Sequence, residues 1–450
     1  MATTQPGRGT YLLRGGAVIS MDPTIDTLSR ADVLIRDGRI ESVGPELDAA
    51  DADVVDASGM IVMPGLIESH FHMWSTIGRN FITDGYEYFP AKWATAGHYE
   101  PEDFQRSVML ALVEGLNAGI TTVHNWSHNT RTPAHADAEL AAHRDALVRA
   151  RYSYGHPDGL PVDEALDFGD IDRVKDEWFR PDGPFGGLVH LGVNLRGPDL
   201  GEVGVFETEM MAARERQLPK AIHTVQGATT EVKAPWLEER GYLGPDFLIA
   251  HFLAATDADR EAMSRTGTPL SYSVHSELRL GEAGNARATL LRFLDAGVTV
   301  TFSIDAASIA PVNLFEAMNV AWNMGIPWQG TETEHLAPVT IRQCLEMATI
   351  NGARALGLAE VTGSLTPGKR ADVILLRTHD LNCAPLAEIE STVVRSMTPA
   401  NVDTVFVDGR MLKRNGELTV HDSERIVSNA EEAALAVRRR SGGRLAPGAL

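Results

Sequence analysis

Short apolar runs broken by turn residues open the chain. From Tyr11 to Val62 the stretches LLRGGAVISM, ADVLIRDGRIESVG and DVVDASGMIVMPG alternate with polar and turn residues, and an Asp-Gly pair at Asp37 and Gly38 marks a tight hairpin turn. The same texture returns in GSLTPGKRADVILL (Gly363 to Leu376) and DTVFVDGRMLK (Asp403 to Lys413), again with an Asp-Gly turn. Neither end has enough strands to bury both of its faces alone. The pattern therefore predicts that residues 10–62 and 363–425 combine into one small β-sandwich domain.

Between them, over residues 63–362, strand-like runs alternate with stretches of helical period. VMLALVEGLNA precedes GITTVHNW, GLVHLGVNL precedes ETEMMAARERQL, and PKAIHTV, DFLIAHFL, TPLSYSV and VTVTFSID each follow a helix-compatible segment. Such alternation argues for a parallel sheet, and about eight units over roughly 300 residues fit an α/β fold of the (β/α)8 TIM-barrel type. Its active site is expected at the C-terminal ends of the strands. Residues 426–450 read as a C-terminal helix, NAEEAALAVRRR, followed by a loose tail.

Composition narrows the function classes. Sixty-one acidic against forty basic side chains give a formal net charge of -21, which repels nucleic-acid backbones and anionic membranes. With 44% apolar residues the chain can build a sizeable core. Only Cys344 and Cys383 are present, so no disulfide framework is implied, and no run approaches the ~18 apolar residues of a membrane span. Together with an N-terminus that lacks a signal-peptide pattern, this predicts a cytoplasmic protein with a small-molecule substrate and no nucleic-acid or membrane partner.

The strongest chemical signal is PGLIESHFHMW. An apolar strand from Ile61 to Ile67 runs on to His70, Phe71 and His72, and side chains two apart on a strand share a face. Both imidazoles can then reach one ion at about 2 Å from each nitrogen. A His-x-His triplet alone is also a chance occurrence; the Pro-Gly turn and the first barrel strand give it context.

With ADVLIRDGRI, PGLIESHFH, GSLTPGKRADVILL and VFVDGR in hand, the chain resembles the amidohydrolase superfamily over nearly its whole length, in the branch of triazine hydrolases and cytosine-type deaminases. Within that branch it is most similar to actinobacterial members that include a thiocarbamate (molinate) hydrolase. The resemblance implies a fifth-strand metal histidine at His223, a sixth-strand histidine at His251 and an eighth-strand aspartate at Asp305. Binuclear members bridge two metals with a fourth-strand lysine, but GLVHLGVNLRG contains none, and Lys220 falls at the start of the next strand. One divalent metal is thus expected, held by His70, His72, His223 and Asp305, with Zn first and Fe, Co or Mn as alternatives. Barrels of this branch commonly form homo-oligomers, dimers or higher.

The resemblance also implies a mechanism. A bound divalent ion lowers the pKa of its water from about 15.7 to about 7 and so supplies hydroxide at neutral pH. Asp305 would act as general base and His251 would hydrogen-bond the water or polarise the substrate. Many deaminases of the branch place a glutamate three residues after the fifth-strand histidine; this chain has Gln226. An amide cannot exchange a proton near pH 7, so ordinary purine or pyrimidine deamination is not the automatic answer.

Further candidates for substrate contact are Trp74, His128, Glu277 and Gln226. His124, Trp126 and His128 share a strand-like spacing, and one of them as a structural residue is an equal reading. Trp74 with Met73, Phe81, Tyr86 and Trp93 would form an aromatic wall, or belong to the core. The segment from His275 to Gly281 matches a substrate-facing loop of the family, where Glu277 and Arg279 would touch a polar substrate or pair with neighbours. The leading expectation is a metal-dependent hydrolase acting on a non-peptide C–N bond of an amide, amidine, carbamate or amino-heterocycle. The alternatives are displacement of a thiolate or halide at the same site, and a non-catalytic assembly or sensor protein on the same fold.

Overall fold

The computed structural model describes residues 6–443 apart from 83, 85, 86, 225–232 and 282. Eight parallel strands hydrogen-bond in sequential order: Leu66–Phe71, Ile120–Ser127, Arg149–Gly155, Val189–Leu195, Lys220–His223, Phe247–Ala250, Leu270–Tyr272 and Val300–Phe302. Helices follow every strand, from Pro101–Asn117 after the first to Leu314–Met324 after the eighth. Each crossover returns the chain to the same end of the sheet, which keeps the strands parallel. The two edges meet through Asp305, whose amide donates to the His70 carbonyl at 2.8 Å and whose carbonyl accepts from the His72 amide at 2.7 Å. The fold is the α/β barrel that the alternation of elements predicts.

Every residue of the first three strands is buried, because one face looks into the barrel and the other is covered by helices. Much of the interior is polar and hydrogen-bonded. Ser69 Oγ lies 2.7 Å from Ser271 Oγ and donates to the Phe302 carbonyl at 2.8 Å, tying the first strand to the seventh and eighth. His124 engages the Ser69 carbonyl and Ser153 Oγ at 2.7 and 2.8 Å through its two ring nitrogens. Both of its polar atoms are taken, so His124 is a structural residue of the barrel interior.

The termini share one further sheet. Met60–Pro64 pairs antiparallel with Val373–Arg377, and from this seam strands of the N-terminal segment extend to one side and strands of the C-terminal segment to the other. Its core draws on both ends, with Leu13, Val33 and Val62 packed among Val373, Leu375 and Phe406. The apolar run that reads as one strand from Ile61 to Ile67 is in fact two, Met60–Pro64 in this sheet and Leu66–Phe71 in the barrel. The break falls at Gly65, where a Cβ would stand 2.0 to 2.6 Å from side-chain atoms of Thr121. Only glycine permits so close an approach, and the Gly65 amide bonds the Asp372 carbonyl while the Leu66 amide bonds that of Gly119.

A buried ion pair joins this sheet to the barrel. Arg149, at the start of the third barrel strand, donates from Nε and Nη2 to the two Asp372 carboxylate oxygens at 2.6 and 3.0 Å. Asp372 also accepts the Asp408 amide at 2.7 Å. At the chain's other end the helix Ser423–Arg440 places Ala430, Ala433 and Val437 in one cluster with Trp74 and Phe104. Residues 444–450 of the expected tail lie outside the described residues, and among those described no helix is long and apolar enough to cross a membrane.

Candidate active site

Five side chains converge where the barrel strands end. His70 is the penultimate residue of the first strand and His72 follows that strand; His223 closes the fifth, His251 follows the sixth, and Asp305 lies three residues past the eighth. His251 and Asp305 adopt left-handed backbone, with φ of 73° and 67°. For non-glycine residues that conformation costs on the order of 1–2 kcal/mol each, strain of the kind that collects at functional sites.

The contacts among these groups have the dimensions of a cation cradle. His223 Nε2 lies 3.2 Å from Nε2 of His70 and 3.2 Å from Nε2 of His72. Asp305 Oδ1 lies 3.3 Å from His70 Nε2 and 3.2 Å from His72 Nε2. Ligands held about 2.0–2.1 Å from a tetrahedral ion are separated from one another by about 3.3 Å, so four of the six edges of such a tetrahedron are present. Two overlapping triads, His70–His72–Asp305 and His70–His223–His251, have ligand atoms within 4.8 Å of one another.

The charge states suit the same role. Burial pushes His70 down to about 3 and lowers His72 and His223 as well, so the three rings stay neutral with lone pairs to offer. Burial alone would raise Asp305, but hydrogen bonds from His70 and His72 and the charge of His251 hold it well below the usual carboxylate range. Three neutral imidazoles and one carboxylate are a donor set for a divalent ion.

His251 differs from the other rings. Its Nδ1 lies 2.9 Å from Oε1 of Glu277, and the same carboxylate oxygen accepts the Ser273 amide at 3.1 Å. Burial works against a charged ring, yet the Glu277 carboxylate and, more weakly, Asp305 raise His251 to about 9. By contrast, Nδ1 of His70 and of His72 has no hydrogen-bond partner among the described residues. Glu277 is itself fully buried, so it stands beneath His251 rather than facing open solvent. The segment around it is a short helix, Val274–Leu280, where the sequence suggested a loop. Arg279, its candidate neighbour, pairs with Glu87 at 3.2 Å on the surface.

Aromatic rings fix the cluster from the second strand. Trp126 packs against His70 and His223 with centroid separations of 4.4 and 4.2 Å, and His128 meets His72 edge-on at 4.4 Å. Trp74 donates its indole N–H to His128 Nδ1 at 3.2 Å, which leaves the other His128 nitrogen to carry the ring proton. The Trp74 ring stacks on Phe104 and is buried, with one edge on a small cavity of about 30 Å³ that Phe81, Tyr88, Lys92 and Ser308 also line. Trp93, by contrast, is 70% exposed. Gln226 and Tyr86 lie outside the described residues.

Three groups near the site carried no sequence signal. Lys92 Nζ lies 3.2 Å from Asp158 Oδ1, and that oxygen is 3.6 Å from His128 Nε2. Glu68 is wholly buried beneath the cluster, accepts the amides of His70 and Ile304 at 2.7 and 3.2 Å, and is pushed up to about 8 by burial. Their positions depend on long-range closure of the barrel. The absence of a fourth-strand lysine holds structurally, since Lys220 starts the fifth strand and pairs with Asp246 at the far end.

Comparison with known proteins agrees with this fold. A model described as the amidohydrolase family matches residues 207–412. A 5'-deoxyadenosine deaminase of Methanosarcina mazei is 27% identical over 442 residues, covering 94% of this chain and 97% of its own. Among solved structures, a zinc-bound adenosine deaminase of Xanthomonas campestris superposes with a TM-score of 0.83 at 22% identity, covering 96% of this chain and 100% of that one. A zinc complex of atrazine chlorohydrolase from Arthrobacter aurescens gives 0.79 at 22% identity, with 94% and 100% covered. At such identity these two structures speak for the fold alone.

Proposed function

We propose that this chain, whose residues 207–412 match a model described as the amidohydrolase family, is a member of that family and a one-metal hydrolase that removes an amino group from a small heterocycle. The observation that carries this reading is the ring of four contacts, 3.2 to 3.3 Å each, linking His70, His223, His72 and Asp305. These four residues would hold the cation, and zinc is the ion proposed. A divalent cation there supplies Lewis-acid charge and lets water deprotonate near neutral pH.

The chain's own groups divide the remaining work. Asp305 is kept anionic, the state in which its carboxylate takes the proton of the attacking water. His251 stands apart from the ring of short contacts and carries its Nδ1 proton on Glu277. Its Nε2 is thereby free to donate to the atom of the substrate that gains negative charge. Glu277 is a positioning residue, fixing the ring and sustaining its charge. Trp74 and Tyr88 wall the adjoining space, with His128 held by the Trp74 indole, and Lys92 with Asp158 offers a polar contact to the substrate's far end.

Gln226 favours a second reading, in which the same site expels a thiolate or halide that needs no proton from a neighbouring carboxylate. The decisive experiment is a leaving-group screen on zinc-loaded protein with 5'-deoxyadenosine, other amino-purines and pyrimidines, carbamates, thiocarbamates and chlorotriazines, following ammonia and product mass. Ammonia release from an amino-heterocycle supports the first reading. Turnover confined to thiolate or chloride release replaces it with the second, and Gln226→Glu should then gain deamination.

A further inference from the structure

At the opposite end of the barrel from the catalytic cluster, Arg151 occupies the third strand and His190 the fourth, directly paired in the strand register. Arg151 is 6% exposed, and its one hydrogen-bond acceptor among the described residues is the Leu356 carbonyl. Among the described residues its Nε is buried with no partner and the guanidinium forms no ion pair. Arg149, two residues earlier, has both Asp372 and Asp408. The charge that most favours protonated Arg151 is that of Asp246, which Lys220 already neutralises, and burial draws Arg151 down to about 10.

His190 completes the polar half of the site. Among the described residues its Nε2 is likewise buried without a partner, and burial, reinforced by Arg149 and Arg151, pushes the ring down to about 4. Both residues line a cavity of about 430 Å³ whose other walls include Trp178, Phe179 and Phe185. Trp178 stacks on Phe185 with centroids 5.8 Å apart. At Gly187, on the cavity edge, a Cβ would meet nothing within 4 Å, so the entrance is open there. Arg180 on the rim is occupied with Asp182.

A buried guanidinium without a counter-charge is costly, and in a chain of net charge -21 it is unexpected. We propose that this barrel-floor cavity binds a small monocarboxylate with an aromatic or aliphatic body, its carboxylate on Arg151 and His190 and its body against Phe179 and Phe185. One uncompensated positive charge matches one anionic charge. The planar guanidinium matches a carboxylate in shape, and the neutral imidazole adds an N–H donor without adding charge.

Benzoate is a suitable probe, titrated calorimetrically into the zinc-loaded full chain, with benzyl alcohol as the neutral control. Saturable benzoate binding is expected, with at least tenfold weaker affinity in Arg151→Gln and no binding of the alcohol. The variant should retain its metal and its turnover, because Arg151 lies at the far end of the barrel from the cluster. Equal affinity in Arg151→Gln, or no saturable binding by the parent protein, overturns the proposal. So does binding that competes with substrate, which would place benzoate in the catalytic site. Should Arg151→Gln not fold, His190→Leu takes its place, with weakening expected and unchanged affinity overturning the assignment.

Discussion

His72 and Asp305 are tied twice: the His72 amide donates to the Asp305 carbonyl at 2.7 Å, and His72 Nε2 lies 3.2 Å from Asp305 Oδ1. The backbone bond that closes the barrel therefore also sets the spacing of two proposed ligands. Asp305→Asn keeps the backbone bond and removes the charge. It should leave the fold intact, weaken metal binding on the order of 100-fold and lower turnover by about 10²–10⁴-fold. Metal analysis after dialysis and single-turnover rates test this; full metal retention with unchanged turnover would remove Asp305 from the mechanism.

Glu277→Gln should separate positioning from binding. The amide still fills the space beside His251 Nδ1 but no longer sustains a charge there. We expect kcat to fall about 10–100-fold with KM nearly unchanged. His251 is raised to about 9 chiefly by Glu277, so the protonated ring is the form present below that limb. Loss of the carboxylate lowers the pKa and moves the alkaline limb of the rate profile to lower pH. A limb that stays in place would mean that His251 does not act in its charged form.

How far this site was legible follows from what each residue depends on. His70 and His72 are local: one strand's alternation puts both on one face. His223, His251 and Asp305 were reached through strand ends and family resemblance, and all three come to the same rim. Glu277 was visible as a polar residue near the seventh strand, but its partner was not, because His251 lies 26 positions away in sequence and meets it only once the sixth and seventh strands pair. Lys92 and Asp158, 66 positions apart, left no pattern at all. Gly65 shows the opposite limit. A continuous apolar run conceals the change of sheet that a single close contact with Thr121 enforces.

The joint between sheet and barrel should be sensitive to one-sided substitution. Asp372→Asn leaves the Arg149 guanidinium buried with half its bidentate partner gone. Removing one partner of a buried pair costs about 3–5 kcal/mol, whereas replacing both by apolar residues of similar volume is often neutral. Urea unfolding should therefore show a large loss for Asp372→Asn and a smaller one for Arg149→Met with Asp372→Leu. Equal losses in the two proteins would assign the effect to packing rather than to the loss of the Asp372 charge beside Arg149, whose remaining ion-pair partner is the more distant Asp408.

Glu139 offers a test of buried charge away from the metal cluster. It projects from the helix Pro133–Ala146 toward the second barrel strand, where Asn125 donates to it and also contacts His143 Nε2 at 3.0 Å. Burial pushes Glu139 up to about 8 against hydrogen bonds from Asn125 and Ser127. Between an ordinary glutamate pKa of about 4.3 and this value, the folded protein holds a proton that the unfolded chain has released. The folded state then loses stability as pH rises through that window, because ν in the native state exceeds ν in the unfolded state. Glu139→Gln cannot titrate. Its urea midpoint should fall less than that of the parent between pH 5 and pH 9, with the curves diverging most near the alkaline end. Parallel curves would show that Glu139 is ionised within the fold, which would require a counter-charge that the Asn125 and Ser127 hydrogen bonds do not supply.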